Sequence, residues 1–344
     1  MNVAPVILAG GIGSRIYPIS TSNIPKQFIK LFSDNTSFFQ QTLRRIRKVF
    51  SKENIIISIN YKHKNIAIKQ LQDIKEFNYS LIIEPKKNNN FATILSSIRV
   101  AYNCDILFIT PSDLLIQDID NFKQTIKDAI LLSYINNNHI LFGIKPMEAN
   151  ENFGYIQLKK QPKNTHDNNN KYIKNNYDIE RFVEKPNKNL AERLIKQGNT
   201  FLNSGMFVLH KNLFLEQVKI LHKNSYMSYI SMTFNIITDK NNTTNEINND
   251  FISDYIKNID SKNTDLNEEK TFFIRHFIPD SESFCKIINK SIDYAIIEHI
   301  NNNIKCIEAN FDWFDFGNWK NLLYLVFNNK INLDIARKMY KKSI

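Results

Sequence analysis

Short apolar segments alternate with amphipathic stretches along the first half of the chain. The apolar segments are continuous, which is typical of strands buried on both faces of a sheet. The amphipathic stretches repeat their apolar residues at helical spacing. The pattern predicts strands at residues 3–8, 55–59, 81–83, 106–109 and 140–144, and helices at residues 36–50, 62–77, 92–102 and 122–134. This alternation predicts an α/β fold with a mostly parallel sheet flanked by helices.

The second half of the chain is less regular. It predicts strands at residues 153–158, 179–184 and 206–209, and a helix at residues 188–197. Residues 161–176 and 240–250 are rich in Asn and Lys, so we expect mobile surface loops there. Residues 329–344 have the pattern of a basic amphipathic helix.

Functional residues of such folds lie in loops at the carboxyl ends of the strands. These loops are residues 9–26, 84–90 and 110–113. The first is distinctive because the chain has only 8 glycines, and Gly10, Gly11 and Gly13 fall within it. Clustered glycines after a strand expose backbone N–H groups to one anion. The spacing fits neither a Walker A loop nor a dinucleotide fingerprint. Arg15 and Lys26 add two positive charges, which suit a triphosphate.

The net charge of +11 raises the question of nucleic-acid binding. The basic residues are scattered, and no basic stripe with interleaved aromatic residues is present. The charge therefore favours a solvated surface with a site for anions over a nucleic-acid interface. No segment near the N-terminus has the length of a signal peptide core or a membrane span, so we expect no membrane partner. Three cysteines without metal-ligand spacing favour a reduced, cytoplasmic compartment.

Further short motifs follow the glycine loop along the chain. They are Pro25-Lys26-Gln27, Glu84-Pro85, Thr110-Pro111-Ser112-Asp113, Phe142-Gly143-Ile144-Lys145-Pro146, Phe153-Gly154-Tyr155-Ile156, Phe182-Val183-Glu184-Lys185-Pro186, Asn203-Ser204-Gly205-Met206-Phe207, Ser291-Ile292-Asp293-Tyr294-Ala295 and Trp313-Phe314-Asp315-Phe316-Gly317-Asn318-Trp319. Together with Gly-Gly-x-Gly-x-Arg, this series resembles the sugar nucleotidyltransferases, in particular the bacterial mannose-1-phosphate guanylyltransferases. The resemblance covers about residues 4–325, and all eight glycines lie within or beside these motifs.

The resemblance implies a Rossmann-like, GT-A-like nucleotidyltransferase fold and a reaction between GTP and mannose 1-phosphate. An oxygen of the sugar phosphate would attack the α-phosphorus directly, with Mg²⁺ bound and pyrophosphate expelled, and no covalent enzyme intermediate is needed. The implied catalytic residues are Arg15, Lys26, Asp113 and Lys185. The implied nucleotide-binding residues are Leu8, Gly10, Gly11, Gly13, Ser14, Arg15, Lys26, Glu84 and Pro111. The implied sugar-phosphate-binding residues are Gly143, Gly154, Tyr155, Glu184, Lys185 and Asn203.

Asp113 and Asp315 are the implied pair of metal ligands. Asp113 follows a predicted strand and would point its carboxylate into the crevice beside the glycine loop. Asp315 lies between two tryptophans and next to a glycine, which is a rigid setting for a second carboxylate. Carboxylate oxygens are the ligands that Mg²⁺ prefers, usually one or two of them together with substrate phosphates.

The sequence departs from the family pattern at two loops. Leu114 follows Asp113 where the family usually has His, and Lys87-Asn88-Asn89-Asn90-Phe91-Ala92 replaces a Gly-Arg-Asn-Thr-Ala-Pro run expected near the base or ribose. Two alternatives therefore stay open. One is a uridylyl- or thymidylyltransferase that acts on another sugar 1-phosphate, and the other is a catalytically weak paralogue that senses nucleotide sugars.

The resemblance also predicts how the chain is organised. Residues 1–285 are expected to form the nucleotidyltransferase domain. Residues 286–344 are expected to form a short C-terminal region that completes the site, without the isomerase domain of bifunctional relatives. The oligomeric state stays open, and a homodimer is one assembly that the resemblance admits.

Overall fold

The computed structural model describes residues 1–11, 13, 16–17, 19–159, 175–238, 241–247, 275–317, 325–326 and 331. Two residues that the resemblance assigns to the nucleotide, Ser14 and Arg15, lie outside this part of the chain. The same holds for most of the loop predicted at residues 161–176. It also holds for the helix predicted at residues 329–344, apart from Ile331.

Strands and helices alternate through the described chain. The strands are β1 Val3–Leu8, β2 Ile55–Asn60, β3 Tyr79–Glu84, β4 Ile106–Pro111, β5 Leu114–Ile116, β6 His139–Ile144, β7 Tyr155–Leu158, β8 Asn176–Val183, β9 Thr200–His210, β10 Phe234–Thr238, β11 Asn241–Ile247, β12 Arg275–Pro279, β13 Ile304–Glu308 and β14 Trp313–Asp315. The helices are α1 Phe38–Val49, α2 Lys64–Asp73, α3 Asn90–Val100, α4 Ile119–Asn136, α5 Lys188–Lys196, α6 Lys211–Leu221, α7 Lys223–Ser231, α8 Ser281–Lys286 and α9 Ile292–Ala295.

In the described part of the chain, twelve strands form one sheet in the order β11-β10-β12-β3-β2-β1-β4-β9-β6-β13-β8-β7, and β5 and β14 form a separate pair. The strands predicted in the first half pair in parallel, β1 with β2 and β4, and β2 with β3. Strand β12 joins β3 in parallel, and β13 joins β6 in parallel. The remaining pairs are antiparallel. The predicted α/β fold class, a large mixed sheet flanked by helices, is confirmed. The expectation that this sheet is mostly parallel was wrong for the described strands, because β9 and the strands of the second half add seven antiparallel pairings to the five parallel ones.

The second half differs from the sequence-based expectation at strand β9 and at the loop predicted for residues 240–250. Strand β9 is inserted antiparallel between β4 and β6, and it begins six residues before the predicted strand at residues 206–209. The predicted loop at residues 240–250 contains β11, which pairs antiparallel with β10, so that prediction was wrong there. The backbone can pair along an edge whatever its side chains are, and polar composition does not reveal this.

The core consists of two apolar layers on opposite faces of the sheet. Alternate residues of one strand face opposite layers, and β2 shows this clearly. Ile56 packs in the layer that contains α3, α6 and α7, whereas Ile55, Ile57 and Ile59 pack in the layer that contains α1, α2 and α4. Because helices cover both faces, the site residues are left at the edge where the strands end. None of the described helices is long and apolar enough to cross a membrane.

Candidate active site

The glycine loop after β1 is held in place by one buried glutamine. Gln27, in the short 3-10 helix Lys26–Phe28, donates from Nε2 to the carbonyl oxygens of Ala9 at 2.7 Å and Gly11 at 2.8 Å. The Ala9 N–H donates to the Ser58 carbonyl at 2.8 Å. These bonds fix the backbone on both sides of Gly10, so the loop has a defined path before any ligand binds.

Glu84 lies beneath this loop. Its carboxylate, 4% exposed, accepts hydrogen bonds from the hydroxyls of Ser58 at 2.6 Å and Thr93 at 2.8 Å. A Cβ atom on Gly10 would lie only 3.1 Å from Glu84 Oε1, so a larger residue than glycine would press on the carboxylate. Burial raises the pKa of Glu84, and the two hydroxyls oppose that rise. Glu84 therefore supports the loop from below.

Two carboxylates and one ammonium group meet beside the loop. Asp113 lies between β4 and β5, and Asp315 is brought opposite Leu114 by the antiparallel pairing of β14 with β5. Lys26 Nζ lies 2.5 Å from Asp113 Oδ2 and 3.9 Å from Asp315 Oδ1. It also donates to the Phe316 carbonyl oxygen at 2.8 Å. Residues almost 290 positions apart in the sequence thus surround one cation.

The oxygen atoms around Lys26 Nζ have the chemistry of a magnesium site. Two carboxylates and a backbone carbonyl are hard ligands, and they already face a positive charge. Among the described residues, no group of three or more His, Cys, Asp or Glu side chains is arranged to hold a metal ion. Such a cage is not needed for Mg²⁺, which commonly uses one or two carboxylates plus substrate phosphates. Asp113 and Asp315 therefore fit the predicted metal pair.

A second polar cluster lies at the end of β8. The Lys185 ammonium is paired with the Glu184 carboxylate, and the Glu184 N–H donates to Glu298 Oε1 at 2.8 Å. Asn203, on β9, donates from Nδ2 to Asp293 Oδ1 at 3.0 Å. The cluster thus holds three carboxylates and one lysine whose side chain is 42% exposed, so it offers both hydrogen-bond acceptors and a reachable cation.

The charges of this cluster influence one another. Burial and the Glu184 carboxylate together raise the pKa of Asp293 to about 7, with Lys185 opposing the rise. Burial also raises the pKa of Glu184. For Lys185, burial works to lower the pKa, but the hydrogen bond that it donates to Glu184 and the charge of the nearby Asp293 outweigh burial, so its pKa is raised. Lys185 therefore stays protonated at neutral pH, as a group that binds phosphate must.

Two contacts connect the clusters. The Lys185 N–H donates to the Phe153 carbonyl at 3.2 Å, and the Phe153 ring packs edge-on against Trp313 with centroids 5.4 Å apart. Trp313 lies on β14, two residues before Asp315. The two clusters are therefore linked through Phe153 and Trp313.

Comparison with known proteins identifies the family. The family model described as nucleotidyl transferase matches residues 4–330. The chain belongs to the nucleotidyl transferase family. Among curated relatives of this nucleotidyl transferase, the mannose-1-phosphate guanylyltransferase of Salmonella montevideo is 29% identical over 321 residues, which is 93% of this chain and 59% of the relative. The chain thus spans about three fifths of the length of the relatives that it matches.

Solved structures agree on the fold. A Thermus thermophilus protein described as mannose-1-phosphate geranyltransferase superposes with a TM-score of 0.68 at 18% identity, covering 95% of this chain and 79% of that one. A Helicobacter pylori protein described as mannose-6-phosphate isomerase gives a TM-score of 0.65 at 23% identity, covering 92% of this chain and 100% of that one. At these identities, the likeness concerns the fold of the nucleotidyl transferase alone.

Several residues predicted for the site are placed by packing. Tyr155 is fully buried against Leu194 and Leu202, and its hydroxyl bonds to the backbone of Asn150. A Cβ atom on Gly143 would lie 2.6 Å from Cys306 Sγ, so this glycine permits close packing of β6 and β13. The structure brings the rest of the described set together around the two clusters. The residues around the first cluster are Leu8, Gly10, Gly11, Gly13, Lys26, Glu84, Pro111, Asp113 and Asp315. Those around the second are Gly154, Glu184, Lys185 and Asn203.

Sequence reasoning missed two residues of the nucleotidyl transferase site. Gln27 was noticed only as part of Pro-Lys-Gln, although it fixes the glycine loop. Asp293 was noticed only as part of Ser-Ile-Asp-Tyr-Ala, although its carboxylate is buried against Asn203. The available signal was an acidic residue within the otherwise apolar run Ile292 to Ile297, because such a residue is buried only when it has a partner.

Proposed function

We propose that this nucleotidyl transferase is a mannose-1-phosphate guanylyltransferase, which converts GTP and mannose 1-phosphate into GDP-mannose and pyrophosphate. The observation that carries the proposal is the convergence of Lys26, Asp113 and Asp315 beside a glycine loop. The second cluster holds Lys185 and its carboxylates and is linked to the first through Phe153 and Trp313. It supports a sugar phosphate as the second substrate. The curated relatives' names support the choice of guanine and mannose.

The glycine loop would bind the triphosphate. Its carbonyls at Ala9 and Gly11 are occupied by Gln27, so backbone N–H groups near Gly10 and Gly13 would be directed toward phosphate oxygens. Lys26 and Arg15 would add positive charge to the same phosphates. These groups orient the α-phosphorus for attack, and positioning of this kind supplies much of the catalysis of phosphoryl-type transfers.

The sugar phosphate would lie at the second cluster. Lys185 would hold its phosphate, while Glu184 and Asn203 would accept from and donate to sugar hydroxyls. A phosphate oxygen of the sugar then forms a bond to the α-phosphorus, and the bond between that phosphorus and the pyrophosphate oxygen breaks. Asp113 and Asp315 would hold Mg²⁺, which neutralises charge on the phosphates when bound. Lys26 and Lys185 stabilise the negative charge that develops on the transferring group.

The test is pyrophosphate release by the purified protein with Mg²⁺. GTP, UTP, dTTP, ATP and CTP are each paired with mannose, glucose and N-acetylglucosamine 1-phosphates. We expect turnover with GTP and mannose 1-phosphate, and a loss on the order of 100-fold in Asp113→Ala, typical for one preorganised electrostatic group. Asp34→Ala is the matched control, because Asp34 also pairs with a cation, Arg44 at 2.5 Å, but on the exposed surface.

The remaining outcomes decide between the alternatives. Turnover confined to another nucleotide and sugar keeps the reaction and discards the guanylyl and mannose assignment. Binding of GTP or GDP-mannose without turnover of any pair favours a nucleotide-sugar sensor. An activity loss of only a few-fold in both Asp113→Ala and Lys185→Ala contradicts the roles given to these residues.

A further inference from the structure

Three consecutive asparagines follow Glu84-Pro85, in the loop that departs from the family pattern. Each of them bonds to the segment at residues 287–292. Asn88 Nδ2 donates to the Ile287 carbonyl at 3.4 Å, and Asn89 donates three hydrogen bonds of 2.8–3.2 Å to Asn289. Asn90 Oδ1 accepts from the Ile292 N–H at 2.8 Å. This loop, which the resemblance assigns to the base or ribose, therefore directs its side chains toward another part of the chain.

The bond from Asn90 fixes the start of α9. Ile292 is the first residue of that helix, and its N–H has no partner within the helix. Asn90 supplies the acceptor from the first residue of α3. Since α9 is only four residues long, its orientation depends on such external bonds more than a long helix would.

The next residue, Asp293, continues the path toward the sugar side. Its buried carboxylate accepts from Asn203 Nδ2 at 3.0 Å. Asn203 Oδ1 in turn accepts from the Gly205 N–H at 3.3 Å. With its oxygen facing Gly205 and one amide hydrogen facing Asp293, the Asn203 side chain has a single orientation, and its second amide hydrogen remains for a ligand.

We propose that Asn90 and Asp293 are positioning residues for the sugar half of the active site, acting through α9 on Asn203. This inference rests on the proposed function, in which Asn203 contacts a sugar hydroxyl. Asn90 thus acts on sugar binding, although the resemblance expects its loop to lie near the base or ribose of the nucleotide. Asn90 need not touch either substrate, because its Oδ1 acceptor is already committed to the Ile292 N–H.

The test compares the KM values for the two substrates in Asn90→Ala and Asn90→Asp. Removing the acceptor in Asn90→Ala should raise the KM for mannose 1-phosphate roughly tenfold, the effect of one good hydrogen bond, and change the KM for GTP less than about twofold. Asn90→Asp keeps an acceptor oxygen and should restore most of the sugar affinity. Asn89→Ala is the matched control, because the Asn89 side chain donates to the exposed Asn289 rather than to the first residue of α9, and both KM values should stay unchanged.

Asp293 provides a second route to the same answer. Asp293→Asn keeps an oxygen that accepts from Asn203, whereas Asp293→Ala removes it. Asp293→Ala should therefore lose as much affinity for the sugar phosphate as Asn203→Ala does, and Asp293→Asn should lose less. This pair decides the matter if Asn90→Ala does not fold. A rise in the KM for GTP with an unchanged KM for mannose 1-phosphate would overturn the inference, and so would equal rises for both substrates.

The proposed function is judged separately, by the wild-type protein. If wild type turns over a different sugar 1-phosphate, the same KM comparison is made with that sugar. If it turns over none, calorimetry of GDP-mannose and GTP binding to the same variants replaces the kinetics. Weaker binding of GDP-mannose in Asn90→Ala with unchanged GTP binding supports the inference, and unchanged binding of both refutes it.

Discussion

Replacement of Lys26 by methionine would remove the cation shared by two carboxylates. Lys26 Nζ lies 2.5 Å from Asp113 and 3.9 Å from Asp315. The lysine stem also packs closely against the backbone of Gly13, where a Cβ atom would lie 2.5 Å from Lys26 Cγ. Methionine preserves that stem and removes only the charge, so Lys26→Met isolates the electrostatic contribution.

The expected loss follows from how exposed the three groups are. Their side chains are 15%, 18% and 25% exposed, between a surface ion pair and a buried one. A surface pair contributes about 0–1 kcal/mol, and removing one partner of a buried pair costs about 3–5 kcal/mol. We therefore expect Lys26→Met to lower the free energy of unfolding by about 2 kcal/mol when no metal is present, because Asp113 and Asp315 then repel each other without compensation.

Magnesium should reverse this loss. If the two carboxylates bind Mg²⁺, the wild-type ammonium competes with the metal for the same oxygens, and the variant does not. A metal at 100 times its dissociation constant adds about 2.7 kcal/mol to stability. The variant should therefore gain more stability from Mg²⁺ than wild type does and bind Mn²⁺ more tightly, although its turnover falls.

The assay is urea unfolding in EDTA and in Mg²⁺, together with Mn²⁺ binding followed by electron paramagnetic resonance. Lys30→Met is the control, because Lys30 forms an ion pair at 2.8 Å with a different carboxylate, Asp73, and this pair is about one third exposed. It should lose less than about 1 kcal/mol and show no metal response. Equal stabilisation of wild type and Lys26→Met by Mg²⁺, with equal Mn²⁺ affinities, would refute the shared cation site.

Three further predictions concern the loop, the sugar side and the core. Gln27→Leu removes both hydrogen bonds that the Gln27 amide donates to the glycine loop. It should raise the KM for the nucleotide about tenfold, while the KM for the sugar phosphate stays within about twofold. An unchanged nucleotide KM would show that the loop keeps its conformation without Gln27. Gly154→Ala places a Cβ atom 2.5 Å from Phe182 and 2.6 Å from Glu184. The affinity for the sugar phosphate, measured by calorimetry, should therefore drop, while the affinity for the nucleotide should not. Unchanged affinity for the sugar phosphate would count against the role of Glu184. Burial lowers the pKa of His139 to about 4 from an ordinary value of 6.5. As pH falls, the unfolded chain therefore takes up a proton on His139 before the folded chain does. About 3 kcal/mol of the free energy of unfolding that is present above pH 6.5 should be lost toward pH 4, as measured by urea unfolding. An identical pH dependence in His139→Gln would contradict this.

The parallel half of the fold could be predicted because its signal is local. Strands such as β2 and β3 are buried at all six of their positions, and most of their residues are apolar, including the runs at residues 55–57 and 81–83. The pairing of β9 could not be predicted in the same way. Asn203, Ser204 and Gly205 interrupt its apolar pattern, and the direction of a strand depends on neighbours that are distant in sequence. Strands β5 and β14 have three residues each, which is too short for any periodicity to appear.

The candidate site divides in a similar way. The glycine loop, Lys26 and the two aspartates could be predicted from residue chemistry and motif order. The contacts among Asn90, Ile292 and Asp293 could not, because they join positions about 200 residues apart and involve a loop that departs from its family. An asparagine carries no indication in the sequence of which backbone group it will bond.

The position of β13 also bears on how the chain is synthesised. This strand lies between β6 and β8, yet it is made roughly 160 residues after β6 ends. At about 5–20 residues per second, the inner edges of β6 and β8 stay unpaired for on the order of 10–30 s on the ribosome. An unpaired edge is a template for pairing with another chain. The yield of native protein in a cell is therefore set in part by how well nascent chains are shielded during this interval, independently of how stable the finished fold is.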